Sequence, residues 1–250
     1  MDKTQQKQET EYQFPYHYLA HYQNYFTQTY NWPFGISYVS TLEFLINQLA
    51  QLKWQSLADV GCGDGRLVKE LAYRFPQRKI VGIDYSPTAI KLAQALNPNL
   101  NFLKQDITDK NFNQQYEVLT LIEVLEHIPL QQIKKFITAL VKLLKPKGYL
   151  LITVPHQNKP LQQKHYQHFT TSKLEKIFNK QFKIKKITYF ENRKVKLAGL
   201  IHLLLTNKFF ILNYQPLKNF LYWLYKKHCF DAQEDSCGRV FMLLQKKAQA

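Results

Sequence analysis

Cysteine is scarce in this chain of 250 residues: Cys62, Cys229 and Cys237 are the whole complement. An odd count at such spacings builds no disulfide framework and points to free thiols in a reducing, cytoplasmic compartment. No run of about 18 apolar residues occurs, so no ordinary transmembrane helix is expected. The opening MDKTQQKQETEYQF has no apolar stretch of signal-peptide type, and export by that route is not expected. No fixed-period repeat is present, which argues against solenoids and propellers. Acids are nearly missing from one long stretch. Between Lys142 and His228, two acids (Glu175 and Glu191) stand against 18 Lys and Arg, whereas the rest of the chain holds 16 of each sign. The whole net charge of +16 therefore lies there. Such a stretch can face an anionic lipid surface, an RNA backbone or an anionic small substrate, or be a plain solvated face. With 45% apolar and 21% charged residues, the chain is neither disordered nor fibrous.

Residues 1–11 read as a disordered tail, and 12–50 as an N-terminal cap dense in aromatics from Tyr12 to Tyr38. Helical spacing is expected over 37–51. A regular alternation follows: strand 57–60, a Gly-rich turn, helix to Tyr73, strand 79–83, helix 86–96, strand 100–103, strand 116–122, helix 130–144 and strand 149–154. That order predicts a doubly wound α/β sheet with right-handed crossovers. A helix over 171–179, a strand over 182–190 and a last strand over 239–245 complete it. A basic insert of about 191–237 precedes that last strand, within a domain spanning 51–250.

The first strand runs into Asp59-Val60-Gly61-Cys62-Gly63-Asp64-Gly65-Arg66. Three glycines let the backbone turn tightly and approach a ligand at a helix N-terminus. Their spacing is G-x-G-x-G, and Arg66 stands where a dinucleotide fingerprint needs its third glycine, which weakens a nicotinamide reading. Asp84 ends the second strand, where a carboxylate can accept both ribose hydroxyls. Asp106 follows the third strand, placed to meet an adenine edge.

These segments, D-V-G-C-G-D-G, G-I-D-Y-S, Q-D-I and E-V-L-E-H-I, resemble the class I S-adenosylmethionine-dependent methyltransferases. The resemblance is close over about 50–155 and loose over 170–247. It implies a Rossmann-like seven-stranded sheet whose antiparallel last strand lies between the fifth and sixth. It also implies that Asp59 and the turn of Gly61, Gly63 and Gly65 hold the methionine end of S-adenosylmethionine. Asp84, with Tyr85, would bind ribose, and Asp106 with Ile107 adenine, while Glu123 would lie beside the ligand. Carboxylates at Asp59, Asp64 and Glu123 suit a ligand that carries a sulfonium and an ammonium.

Glu123-Val124-Leu125-Glu126-His127 sits where the fourth strand gives way to a loop. His165 or His168 could join it from after the fifth strand, since both segments lie at the carboxyl edge of the sheet. Two carboxylates and imidazoles at this spacing can converge on a divalent ion such as Mg²⁺, with Glu123, Glu126, His127 and His168 as the expected set. The run is similar to those of ubiquinone-biosynthesis O-methyltransferases and of small-RNA 3′-end 2′-O-methyltransferases. Without metal, His127 or His168 could act as general base.

Residues 195–228 mix apolar and aromatic residues with lysines and suit one or two amphipathic helices. They could be a membrane patch over about 194–228 at an inner membrane face, a lid or a dimer surface. The expected activity is O-methylation of an amphiphilic or anionic small molecule, such as a lipid-linked, quinone-like or glycan acceptor. RNA 2′-O-methylation and a non-catalytic S-adenosylmethionine-binding role are the alternatives.

Overall fold

The computed structural model describes residues 3–10, 35–205, 209, 210, 212 and 214–248. The expected aromatic cap falls mostly on 11–34, outside the described residues. Two compact units divide the chain, one built on Lys53–Thr188 and Arg239–Ala250 with the N-terminal residues, the other on the described parts of Phe14–Leu52 and Tyr189–Gly238.

The first unit opens with helix α1 (Lys3–Thr10). This corrects the expected disordered tail. α1 buries no residue, and polar contacts hold it: Lys7 Nζ bonds Gln163, and Glu9 Oε1 accepts from Ser86 Oγ at 2.8 Å. Seven strands then form one sheet. In chain order they are β1 (Ser56–Val60), β2 (Lys79–Asp84), β3 (Asn101–Lys104), β4 (Tyr116–Ile122), β5 (Leu144–Pro155), β6 (Phe182–Phe190) and β7 (Arg239–Lys246). The spatial order is β3-β2-β1-β4-β5-β7-β6. β1 runs parallel to β2 and β4, and β5 parallel to β4. β7 runs antiparallel to β5, from Tyr149 opposite Gln245 to Pro155 opposite Arg239. The antiparallel last strand thus lies between the fifth and sixth, as expected.

The central strands carry apolar residues on both faces because helices cover both. Leu57, Ala58, Val118, Leu119, Leu121, Leu150 and Ile152 are wholly buried. Helices α3 (Arg66–Arg74), α4 (Pro87–Leu96), α5 (Ile133–Leu143) and α6 (Thr171–Phe178) join or flank the strands. Local chemistry sets their starts. Ser86 caps α4 by accepting from Ala89 N, with Pro87 in the first turn, and Thr170 caps α6 by accepting from Lys173 N. The Lys145–Gly148 segment lies between the expected helix 130–144 and strand 149–154. It belongs to β5, whose Leu144 pairs with Tyr116.

The second unit contains helix α2 (Gly35–Ala50), α7 (Lys196–Leu205) and α8 (Gln215–Tyr225), with a π-helical turn over Lys226–Phe230. Its core is aromatic: Phe190 stacks on Phe230 at 5.2 Å and meets Phe44 at 5.5 Å. Glu43 ties α2 to α8, accepting from the Tyr222 hydroxyl at 2.6 Å and pairing with Lys226 at 3.1 Å. Among the described residues no helix is long and apolar enough to cross a membrane.

Candidate active site

The site lies at the carboxyl ends of the parallel strands, where β1 has β2 on one side and β4 on the other and the crossovers diverge. The turn after β1 holds Gly61, Gly63 and Gly65 at φ of 76°, 54° and 78°. A Cβ on Gly61 would sit 2.5 Å from Val124 Cγ2, and one on Gly65 would sit 2.5 Å from Phe102 Cζ. The turn needs glycine for conformation and for space alike.

Three carboxylates surround this turn, all buried. Asp59, in β1, accepts from the Thr120 hydroxyl of β4 at 2.7 Å. Asp84, at the end of β2, accepts from Gly63 N at 3.0 Å and Ser86 N at 2.9 Å, which fixes its carboxyl against the turn. Asp64 accepts from Arg66 N at 3.2 Å. Burial raises the pKa of Asp59 to about 7, against the Thr120 bond and with the charges of Asp84 and Asp64 adding to it. Burial also raises Asp64 to about 7 and pushes Asp84 up. Desolvated acids that repel one another are a receptor for positive charge. A sulfonium and an ammonium would relieve them, so the residues fit S-adenosylmethionine. Cys62, inside the turn, is held protonated by burial and by the same acids, and is no nucleophile.

The remaining cofactor candidates are looser. Ile107 is buried, whereas Asp106 is exposed and its carboxyl accepts from Thr108 N at 2.8 Å in a local turn. Tyr85 projects into solvent beside Asp84.

The cluster expected around the fourth strand assembles differently. Glu123, at φ 56°, accepts from Thr153 Oγ1 at 3.0 Å and pairs with Arg239 Nε at 2.9 Å. Its carboxylate is engaged by a cation from β7 and is not among the grouped ligand atoms. His168 also stands one layer back, and His165 takes the place expected for it. Glu126, His127 and His165 each offer a ligand atom, all within 4.8 Å of one another. The tautomers follow from the carbonyls. Lys159 O, 3.1 Å from His168 Nδ1, can only accept, so that nitrogen carries the proton. His168 Nε2 must then accept from His165 Nδ1–H across 2.8 Å, leaving His165 Nε2 with its lone pair. Lys164 O at 2.9 Å likewise protonates His127 at Nδ1 and makes Nε2 its lone-pair nitrogen. Burial, then the neighbouring His127 and His168, hold His165 neutral, its pKa lowered to about 2. Glu126 is wholly buried, neither carboxyl oxygen has a hydrogen-bond partner among the described residues, and burial and Glu123 push its pKa well up. The lone pairs of His127 Nε2 and His165 Nε2 thus lie beside the Glu126 carboxyl.

Thr120, Thr153 and Arg239 were not anticipated. The two threonines are the polar residues inside otherwise apolar strand runs, VLTLI and LLITV, and that interruption is the signal that could have found them. Arg239 reaches Glu123 from 116 positions away in sequence, and no local pattern marks it.

Comparison with known proteins agrees with this geometry. Residues 57–148 match the family described as a methyltransferase domain. A ubiquinone biosynthesis O-methyltransferase of Rickettsia bellii is 29% identical over 130 residues, 51% of this chain and 52% of that one. A trans-aconitate 2-methyltransferase of Escherichia fergusonii is 32% identical over 99 residues, 40% of this chain and 38% of that one. The chain thus spans about half the length, or less, of these relatives. Among solved structures, the N-methyltransferase NodS of Bradyrhizobium japonicum WM9, in complex with S-adenosyl-L-homocysteine, superposes with a TM-score of 0.61 at 15% identity, covering 99% of this chain and 100% of that one. The magnesium protoporphyrin IX methyltransferase of Synechocystis PCC 6803, with bound S-adenosylmethionine, gives 0.56 at 16% identity, covering 88% and 86%. With the sheet order, the glycine turn and its buried acids, these matches show a methyltransferase-family domain over residues 57–148, on the seven-stranded fold of the solved S-adenosylmethionine-dependent methyltransferases.

Proposed function

We propose that this protein transfers a methyl group to an oxygen of an amphiphilic or anionic small-molecule acceptor. The observation that carries the reading is the set of lone pairs at Glu126, His127 and His165 beside the cofactor turn. When bound, S-adenosylmethionine supplies a methyl carbon on a sulfonium, an electrophile that asks chiefly for an aligned nucleophile. Asp59 and Asp64 would face its positive charge, and Asp84 its ribose. His127, its Nδ1–H held by Lys164 O, would take the acceptor's hydroxyl proton at Nε2. His168 positions His165 through Nε2 and so keeps a second lone pair at the same place. The relatives' names include O- and N-methyltransferases, and the choice of oxygen rests on this proton-accepting cluster. Three free cysteines fit a reaction on the cytoplasmic side.

A second reading has its own observation, the unpartnered buried Glu126 carboxyl. Glu126, His127 and His165 would hold a divalent cation, which would lower the pKa of a bound hydroxyl. Donors on one ion with bonds of about 2.1 Å sit ~3–4 Å apart, so the trio would contract on binding.

The test follows labelled methyl from S-adenosylmethionine into a cell extract, with Mg²⁺ or with chelator. Label is then partitioned between organic-soluble, RNA and polar soluble fractions. The expected result is label in small molecules, lost in His127→Ala while S-adenosylmethionine binding persists. Loss with chelator favours the cation. Label in RNA replaces the acceptor class, and cofactor binding with no transfer to any fraction overturns the catalytic reading.

A further inference from the structure

The second unit carries two helices with large apolar side chains on their exposed faces. On α7 the solvent-exposed positions are Lys196, Gly199, Leu200 and Leu203, one face at helical spacing. Leu200 and Leu203 are 56% and 62% exposed. On α8 the exposed stripe includes Leu217, Phe220 and Trp223 and leads to Lys227, with Phe220 and Trp223 53% and 51% exposed. The buried face of the same helix is Lys218, Leu221 and Tyr225. A helix that meets only water turns lysine outward and leucine inward. Here Leu217, Phe220 and Trp223 face out while Lys218 is 6% exposed. Of the large hydrophobic side chains exposed among the described residues, most lie between Leu200 and Trp223, and so dense a patch marks an interaction surface.

The charge around the patch selects the occupant. From Asn192 to Phe230 there is no Asp or Glu, and seven Lys and Arg occur. Arg193, Lys196 and Lys227 are exposed, Lys194 is paired with Asp235 at 2.6 Å, and Lys227 Nζ sits 4.8 Å over the Trp223 ring. Phe220 and Trp223 stack at 5.8 Å, forming a paired aromatic edge. A second copy would set this cationic rim against its own like. A nucleic acid would use the lysines and leave Leu200, Leu203 and Leu217 in water. An anionic lipid surface satisfies both components, with acyl boundary for the leucines and aromatics and phosphate headgroups for the lysines.

We propose that α7 and α8 dock the protein on an anionic membrane surface, their exposed apolar stripes entering the interface in its plane. Docking concerns binding and not methyl transfer, so it stands or falls apart from the proposed reaction. The test uses the full chain and vesicles of phosphatidylcholine with or without phosphatidylglycerol. Sedimentation with the anionic vesicles is expected, weakening as salt rises and nearly absent on pure phosphatidylcholine. The pair Phe220→Ser and Trp223→Ser should lose at least about tenfold in partition, and Lys196→Ala or Lys227→Ala about fivefold each. These side chains lie in solvent, and unchanged circular dichroism and melting confirm folding. Trp223→Phe should keep binding and lose the fluorescence quenching that brominated lipid produces in the parent. Absence of sedimentation overturns the proposal, as do equal binding to both vesicles and indifference to the paired serines. A dimer that those serines dissociate, or RNA binding that they abolish, also overturns it.

Discussion

Gly65 and Glu126 are residues whose environments dictate them, for opposite reasons. Gly65 holds φ 78° with Phe102 Cζ where its Cβ would be, so Gly65→Ala adds left-handed strain of about 1–2 kcal/mol to an overpacking cost of about 1–3 kcal/mol. A loss of about 2–4 kcal/mol is expected in urea unfolding, with weakened S-adenosylmethionine binding because α3 starts at the next residue. Glu126 is a desolvated acid without a hydrogen-bond partner among the described residues, its pKa raised in the folded chain. Folding therefore favours its protonated form, and the group's contribution declines as pH rises above the ordinary glutamate value. Glu126→Gln should remove that decline. The variant's melting temperature should gain on the parent's between pH 5 and pH 8 while methyl transfer is lost. A variant that falls behind the parent at pH 8 would mean that the carboxylate has a partner in solution. At this scale, the glycines and Asp84 were legible because the turn demands their geometry locally. The grouping of Glu126, His127 and His165 was not. Glu126 and His127 were read correctly as neighbours, but three-dimensional partners decide the rest. Arg239 draws Glu123 away, and the hydrogen bond to Lys159 O sets His168 behind His165.

Elements were read more securely than side-chain partners, because apolar runs and caps are local signals. β4 and β6 have the expected bounds, and α4 starts between Ser86 and Pro87 as its cap requires. β5 begins five residues early, since the Lys145–Gly148 turn that ends a helix can also pair at a sheet edge. α1 was missed because KTQQKQET has no apolar face, and so short a helix is marginal by itself. Its Glu9 bonds the same Ser86 hydroxyl that caps α4. Ser86→Ala should therefore do two things. Loss of the cap should cost about 1 kcal/mol, read as a lower melting temperature. Loss of the Glu9 contact should speed hydrogen exchange over 3–10. Ser86→Asp would restore the cap but repel Glu9, so stability should recover while exchange stays fast. Equal recovery of both would show that α1 does not rest on Ser86.

Across the whole molecule, charge is arranged against the net. The chain is strongly cationic, yet the turn that would receive a cationic cofactor in the proposed reaction is lined by Asp59, Asp64 and Asp84. Screening limits the reach of the basic stretch to about 8 Å at physiological salt, so buried local acids decide the potential in the crevice. Their raised pKa values couple binding to protons. Asp59 and Asp64 titrate at about 7 in the free protein, chiefly because burial disfavours their charge. A bound sulfonium or ammonium favours the ionised forms and so expels protons. The folded free protein binds more protons than the unfolded chain between the ordinary aspartate value and about 7, so these groups make it less stable as pH rises through that window. Ligand affinity moves the other way. It should fall below pH 7 by about tenfold per pH unit for each proton released, and level off above about pH 8. Calorimetry at pH 6.5 in two buffers of different ionisation enthalpy reads the released protons directly. Buffer-dependent heat is expected in the parent, reduced in Asp59→Asn. Identical heats in both buffers would mean that the acids are already charged before the ligand arrives, and that the crevice is preformed as an anion.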